Sequence, residues 1–265
     1  MHDRTAELSH RHCERANPPR LRILGVRVDD VTLPEAVDRI RAWARAGEGR
    51  LHHVVTVNPE FIIAARRDPA FRATLEAADL ATADGVGVIL AARLLGRPLR
   101  GRVTGVDLVE ALAAAQDPAL HLFLLGAGPG IAERAAAELT RRYPRCHIAG
   151  TWSGSPRPED APEILARLRA ARPTALLVAF GHPAQDLWIA QHQRELAACG
   201  IIIGMGIGGT LDYLAGAVPR PPAPVRRLGL EWLYRLIRQP WRWRRQLALP
   251  LFAALVLRER LRRLG

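Results

Sequence analysis

From residue 21 onward, short apolar runs alternate with longer stretches in which apolar residues recur at helical spacing. LRILGVRV (21–28) predicts a strand, and Thr32 followed by Glu35 has the spacing of a capping box that opens a helix running to about Ala46. HHVVTV (52–57) predicts a buried strand, Asn58-Pro59 ends it, and 60–78 reads as helix interrupted near Asp68-Pro69. ADLATADG (78–85) supplies a short strand end and a turn, followed by helices expected at about 86–95 and 105–116. The second half is more regular. Strands are predicted at 121–126, 147–152, 175–181 and 200–206, with helices at 131–143, 159–172 and 184–197 between them. Short apolar strands joined by amphipathic helices predict the α/β class: a Rossmann-like parallel sheet with helices on both faces.

The pattern changes after residue 216. AVPRPPAPVRR (217–227) carries four prolines and reads as a linker, which divides the chain into an N-terminal arm (1–20), an α/β core (21–218) and a C-terminal appendage (219–265). The appendage is basic: 12 arginines against Glu231 and Glu259 give a local balance of +10 out of a net +12, so the first 218 residues are nearly neutral. Such a cluster suits an anionic partner, whether phosphates, acidic headgroups or nucleic acid. Its apolar run Leu247–Leu257 is roughly half of the ~20 residues needed to cross a bilayer, so it is expected to lie on a membrane rather than span it. Cys13, Cys146 and Cys199 are too few and too scattered for a disulfide framework or a zinc quartet, which favours a reducing cytoplasm and suggests no metal. No cofactor is implied by the motifs.

Several stretches carry candidate chemistry. GAGPG (126–130) follows a strand and opens a helix, where Gly126, Gly128 and neighbouring N–H groups suit a phosphate, or form a structural tight turn. Its spacing departs from GxGxxG, and the next strand ends without the acid that holds a dinucleotide ribose, which argues against NAD(P). Asp84 in TADGVG stands at a strand-to-helix turn, as a reactive carboxylate or as a helix N-cap. Thr56 and Asn58 in TVNPE are short polar groups suited to a hydroxyl-rich ligand. Gln185 and Asp186 fall in the first turn of a helix, and the glycine-rich GMGIGGTLDYLAG, with Gly208 and Asp212, lets backbone approach a ligand. HExxH, GxSxG and DxD patterns are absent.

Taken in order, TVNPEF, TADGVG, GRVTG, LLGAGPG, AFGHPAQD, GGTLDYLAG and EWLYRLIRQPWRWRR resemble the WecG/TagA/CpsF family of bacterial glycosyltransferases. The resemblance implies a cytoplasmic enzyme, peripheral on the inner face of the membrane, that moves a hexose or N-acetylhexosamine, of N-acetylmannosamine type, from a UDP-sugar to a polyprenyl-diphosphate-linked sugar. It implies Asp84 as base, Thr56, Asn58, Arg102 and Gln185 near donor and acceptor, and Arg235, Arg242 and Arg245 at the leaving diphosphate. HPAQD departs from the family pattern, with Ala184 and Asp186 where many relatives carry lysine and glutamate. Arg235, Arg238, Arg242 and Arg245 are spaced to share a face if the segment is one helix, while Trp241 and Trp243 suit the headgroup level. The alternative is that Trp232, Leu233, Leu236 and Ile237 pack on the core or on a second subunit of a homo-oligomer.

Two other readings use the same features. An NAD(P)-dependent oxidoreductase would share the sheet but lacks the ribose-binding acid. A single-stranded nucleic-acid-binding module would use the tail but leaves TADG, GRVTG and HPAQD unexplained.

Overall fold

A computed structural model of the chain describes residues 18–222, 224–225, 229–238, 240 and 243–263. The N-terminal arm up to residue 17, with Cys13, and Trp241 and Arg242 in the appendage lie outside the described residues.

The first predicted strand is in fact a hairpin, β1 (Arg20–Ile23) and β2 (Val26–Asp29), paired antiparallel. Leu24 and Gly25 between them both have positive φ, 50° and 84°, as a two-residue turn matched to strand twist requires. An apolar run that looks continuous is thus cut by its own turn. The hairpin covers one edge of the main sheet. Arg27 and Asp29 form a buried pair at 2.7 Å, Asp29 accepts the N–H of Ala81, and Arg27 donates to the carbonyl of Ala78.

Helix α1 (Leu33–Ala46) opens on the expected capping box, with Glu35 accepting from the N–H of Thr32 at 2.9 Å, and closes on Gly47 in the left-handed conformation. Strand β3 (His52–Val57) is buried throughout, α2 (Pro59–Arg67) and α3 (Pro69–Ala77) are separated at Asp68, and β4 (Leu80–Ala83) leads to α4 (Val86–Leu94) and α5 (Gly105–Ala114). There follow β5 (His121–Gly126), α6 (Ile131–Arg142), β6 (His147–Trp152), α7 (Ala161–Ala171), β7 (Ala175–Ala179), α8 (Ala184–Gln191), α9 (Gln193–Ala198), β8 (Ile203–Gly206) and α10 (Thr210–Leu214). The helix expected over 184–197 is therefore two, divided at His192, whose Nδ1 donates to the carbonyl of Trp188. The glycine-rich stretch after β8 contains the short helix α10, which composition had hidden.

Six parallel strands form one sheet in the order β4-β3-β8-β7-β5-β6. Alternation along β5 shows why both faces are covered: Leu122 and Leu124 enter one core with α1, α5 and α6, whereas Phe123 and Leu125 enter another with α7 and α8. A third core, around Val55, Val57, Phe61 and Val88, is completed by Phe252 and Val256. Those two come from the C-terminal helix Ala248–Arg262, here called the terminal helix, which follows the shorter helices Glu231–Arg238 and Trp243–Gln246. Among the described residues no helix is long and apolar enough to cross a membrane. Because β8 is inserted between β3 and β7, the chain leaves neighbouring strand ends in different directions. That is the kind of switch point where open α/β sheets form a crevice.

Candidate active site

A cavity of about 740 Å³ lies over the carboxyl ends of β3, β4, β7 and β8 and is roofed by the C-terminal segment. Strand β3 delivers Thr56, 5% exposed, and then Asn58. The side chain of Asn58 accepts the N–H of Phe61 at 3.0 Å, so it caps α2 while lining the cavity, with Pro59 at the first helical position.

Asp84 follows β4 directly, and its N–H donates to the carbonyl of Val57 at 2.8 Å. Helix α4 is capped by Gly85, at φ 96°, with no side-chain cap. The reading of Asp84 as an N-cap is therefore replaced by that of a cavity carboxylate. Its pKa is pushed up to about 7, first by burial and then by the charge of Glu231. The backbone N–H of Gly105 and the charge of Arg102 pull the other way. Gly105 opens α5 beside Thr56 and Thr210, both of which line the same cavity. Arg102 sits on a segment tied to β4 by Val103 N–H to Ala83 O at 2.9 Å and Thr82 Oγ1 to Val103 O at 3.1 Å. Its guanidinium pairs with Glu231 at 3.0 Å.

Gln185 is 1% exposed, and its carbonyl oxygen accepts from the N–H of Gly181 at 3.1 Å and of Gly208 at 2.9 Å. It clasps the turns after β7 and β8 together at the cavity wall. Asp186 lies behind it, fully buried, with Oδ1 3.5 Å from His53 Nε2 and close against Gly206. Gly128, Gly208 and Asp212 line the cavity, but Gly126 does not: a Cβ there would stand 2.8 Å from Phe180 Cδ1, so its glycine serves the close approach of β5 to β7.

The arginines divide. Arg245 reaches the cavity, donating to Glu60 Oε2 at 2.8 Å and to His182 Nδ1 at 2.6 Å. Arg238 instead lies over the ring of Tyr234, 5.6 Å from its centroid. The Arg235 side chain and all of Arg242 lie outside the described residues. Helices Glu231–Arg238 and Trp243–Gln246 are separate elements, and of the four arginines Arg238 and Arg245 are the ones whose side chains are described. Trp232, Leu233 and Ile237 are 41%, 37% and 69% exposed, with Trp232 lining the cavity, and Leu236 is half-buried.

The structure adds two acids that sequence reasoning missed. Glu231 and Glu60 both line the cavity, each paired with one of its arginines. The available signal for Glu231 was its place as one of two acids in a tail of 12 arginines. A carboxylate with a pKa of about 7, in a cavity that also presents two guanidinium groups paired to other acids, can take a proton from a hydroxyl while the arginines meet a phosphate.

The family model described as "Glycosyl transferase WecG/TagA/CpsF family" matches residues 21–265. The chain belongs to this family. It is a glycosyltransferase by membership of the WecG/TagA/CpsF family, and its motif-bearing turns are the ones that surround the cavity. Among similar proteins is the N-acetylglucosaminyldiphosphoundecaprenol N-acetyl-beta-D-mannosaminyltransferase of Bacillus spizizenii, 33% identical over 206 residues, which cover 77% of this chain and 78% of that one. The protein of the same name from Bacillus subtilis is 33% identical over 78% of this chain and 79% of its own length. That of Staphylococcus aureus strain MW2 is 32% identical over 240 residues, 90% of this chain and 92% of its own.

Proposed function

We propose that this WecG/TagA/CpsF transferase moves an N-acetylmannosamine-type sugar from a UDP-sugar onto a polyprenyl-diphosphate-linked N-acetylglucosamine. The acceptor and the sugar are those in the names of the relatives, and the family's work in cell-wall and surface polysaccharide synthesis fits both. The observation that carries the reading is Asp84, a carboxylate with a pKa of about 7 inside a cavity that also presents Arg102 and Arg245.

In the proposed step an acceptor hydroxyl oxygen bonds to the anomeric carbon of the donor as the bond from that carbon to the diphosphate oxygen breaks. The hydroxyl proton goes to Asp84, and the bonding pair leaves with UDP. Single displacement inverts the anomeric centre, which from an α-linked donor gives the β linkage named for the relatives. Arg245 and Arg102 neutralise the departing diphosphate, exchanging Glu60 and Glu231 for phosphate oxygens. Thr56, Asn58 and the backbone around Gly128 serve the sugar and its phosphates, and Arg235 and Arg242, whose side chains lie outside the described residues, are assigned to the diphosphate by the family motif alone. No metal enters the proposed step.

The outer side of the segment suits a membrane surface. Trp243, Leu251 and Leu261 are 53%, 38% and 69% exposed, with arginines interspersed. The cytoplasmic leaflet is the proposed location.

The decisive assay mixes the protein with a panel of UDP-sugars and a lipid-diphosphate-N-acetylglucosamine acceptor and measures UDP release and the anomeric configuration of the product. Acceptor-dependent release with a β product supports the reading. Thermal stabilisation by NAD(P) and not by UDP would replace it with the oxidoreductase, and salt-sensitive oligonucleotide binding without UDP binding with the nucleic-acid module.

A further inference from the structure

The cavity has an apolar half as well as the polar one that holds Asp84. Helix α4 presents Gly87, Leu90, Ala91 and Leu94 to it, spaced so that all four fall on one stripe. Opposite them the terminal helix presents Leu249, Phe252, Ala253, Val256 and Leu257, again one stripe. At a rise of 1.5 Å per residue the stripes run for roughly 10 and 12 Å along the two helices. Phe252, 4% exposed, forms the floor with Pro59, whose ring comes so close to Gly87 that a Cβ there would stand 2.9 Å from Pro59 Cγ. The walls stay open: Leu90, Leu94 and Leu257 are 52%, 46% and 53% exposed.

One end of this groove runs into the polar half, where Asp84, Arg102 and Glu231 meet. The other end lies toward the exposed Leu94 and Leu257, near the carboxyl ends of both helices, where Arg263 donates to the carbonyl of Leu95 at 3.4 Å. A ligand that fits both halves has a phosphorylated polar head and a flexible hydrocarbon tail, in that order along the cavity. We infer that the groove between α4 and the terminal helix binds the first isoprenyl units of the lipid-linked acceptor and so sets the reach of its sugar toward Asp84. This rests on the acceptor proposed above. The tail then passes from groove to bilayer without crossing water, and the terminal helix serves as one wall of the substrate site.

The test compares N-acetylglucosamine diphosphate carried on a farnesyl tail with the same head on an ethyl tail, in buffer free of detergent and vesicles so that membrane insertion contributes nothing. Wild type should favour the farnesyl acceptor by about tenfold or more in kcat/KM, since burial of one isoprenyl unit suffices for that. Ala253→Trp, which fills the groove from an exposed position, should bring the ratio of the two close to one. Leu90→Asp on the opposite wall should do the same, and thermal melts of both variants check that they fold. Farnesyl diphosphate alone, titrated by calorimetry, should bind wild type about tenfold more tightly than either variant. If neither acceptor turns over but this binding difference holds, the groove stands and the proposed reaction falls. A wild type indifferent to tail length, or a tail preference and farnesyl diphosphate affinity that survive in both folded variants, overturns the inference.

Discussion

The two walls of the active-site cavity are held in different ways. On the core side, every candidate group hangs from backbone bonds. Asp84 is tied to Val57, the Arg102 segment to Ala83, and Gln185 bridges the N–H groups of Gly181 and Gly208. On the C-terminal side, the contacts are side-chain ion pairs, Arg102 with Glu231 and Arg245 with Glu60, together with the two buried anchors Phe252 and Val256. Partly exposed ion pairs are worth roughly 1 kcal/mol or less and weaken with salt, whereas a buried phenylalanine is worth several. The core therefore keeps its geometry when the site is empty. The segment is positioned by apolar docking and trimmed by charges that a diphosphate can take over. In the proposed reaction the core wall carries the base and Arg102, and the C-terminal wall adds Arg245.

The contrast breaks most completely if Asp84 is dispensable. Asp84→Asn should lower transfer by about 10²–10⁴-fold while UDP binding persists, measured by turnover and titration. The same substitution should raise the melting temperature more at pH 8 than at pH 5. A carboxyl whose folded pKa is raised to about 7 binds more protons folded than unfolded between its ordinary value and 7. Wild-type stability from this group thus falls as pH rises through that window, and the amide removes the loss. Full activity in the variant would refute the assigned base.

Removal of the segment after residue 218 should come next, with transfer reduced by about 10²-fold or more and the core still folded but less stable, because Phe252 and Val256 no longer cover Phe61 and Val88. Phe252→Ala alone should cost about 3 kcal/mol in docking of the segment, read as faster proteolysis within it. A smaller effect is expected of Glu231→Gln. Its charge raises the Asp84 pKa, so the acid limb of the kcat/KM profile should shift to lower pH, by less than the effect of burial, which is the larger cause. The smallest concerns salt. Raising ionic strength should weaken UDP binding only a few-fold if the arginines act from a partly enclosed wall. A steep loss would place them in open solvent.

Much of this was legible in local pattern. The capping box at Thr32 and Glu35, the breaks at Asn58-Pro59 and Asp68-Pro69, and each core strand depend on residues within a few positions of one another, and the structure holds them where expected. Failures came where a local pattern had two solutions. LRILGVRV is apolar enough for one strand, but Leu24 and Gly25 can turn, and packing over the edge of β4 rewards the hairpin.

By itself the sequence determined the alternation of strands and helices, the family, and the residue to suspect as base, because each is written in nearby residues or in short motifs taken in order. Tertiary structure alone decided that β8 enters between β3 and β7, that Glu231 comes to Arg102 from 129 positions away, and that two apolar stripes in α4 and the terminal helix become the walls of one groove. Periodicity records which face of an element avoids water. Which distant face it meets there is settled by the whole set of contacts competing for the same core.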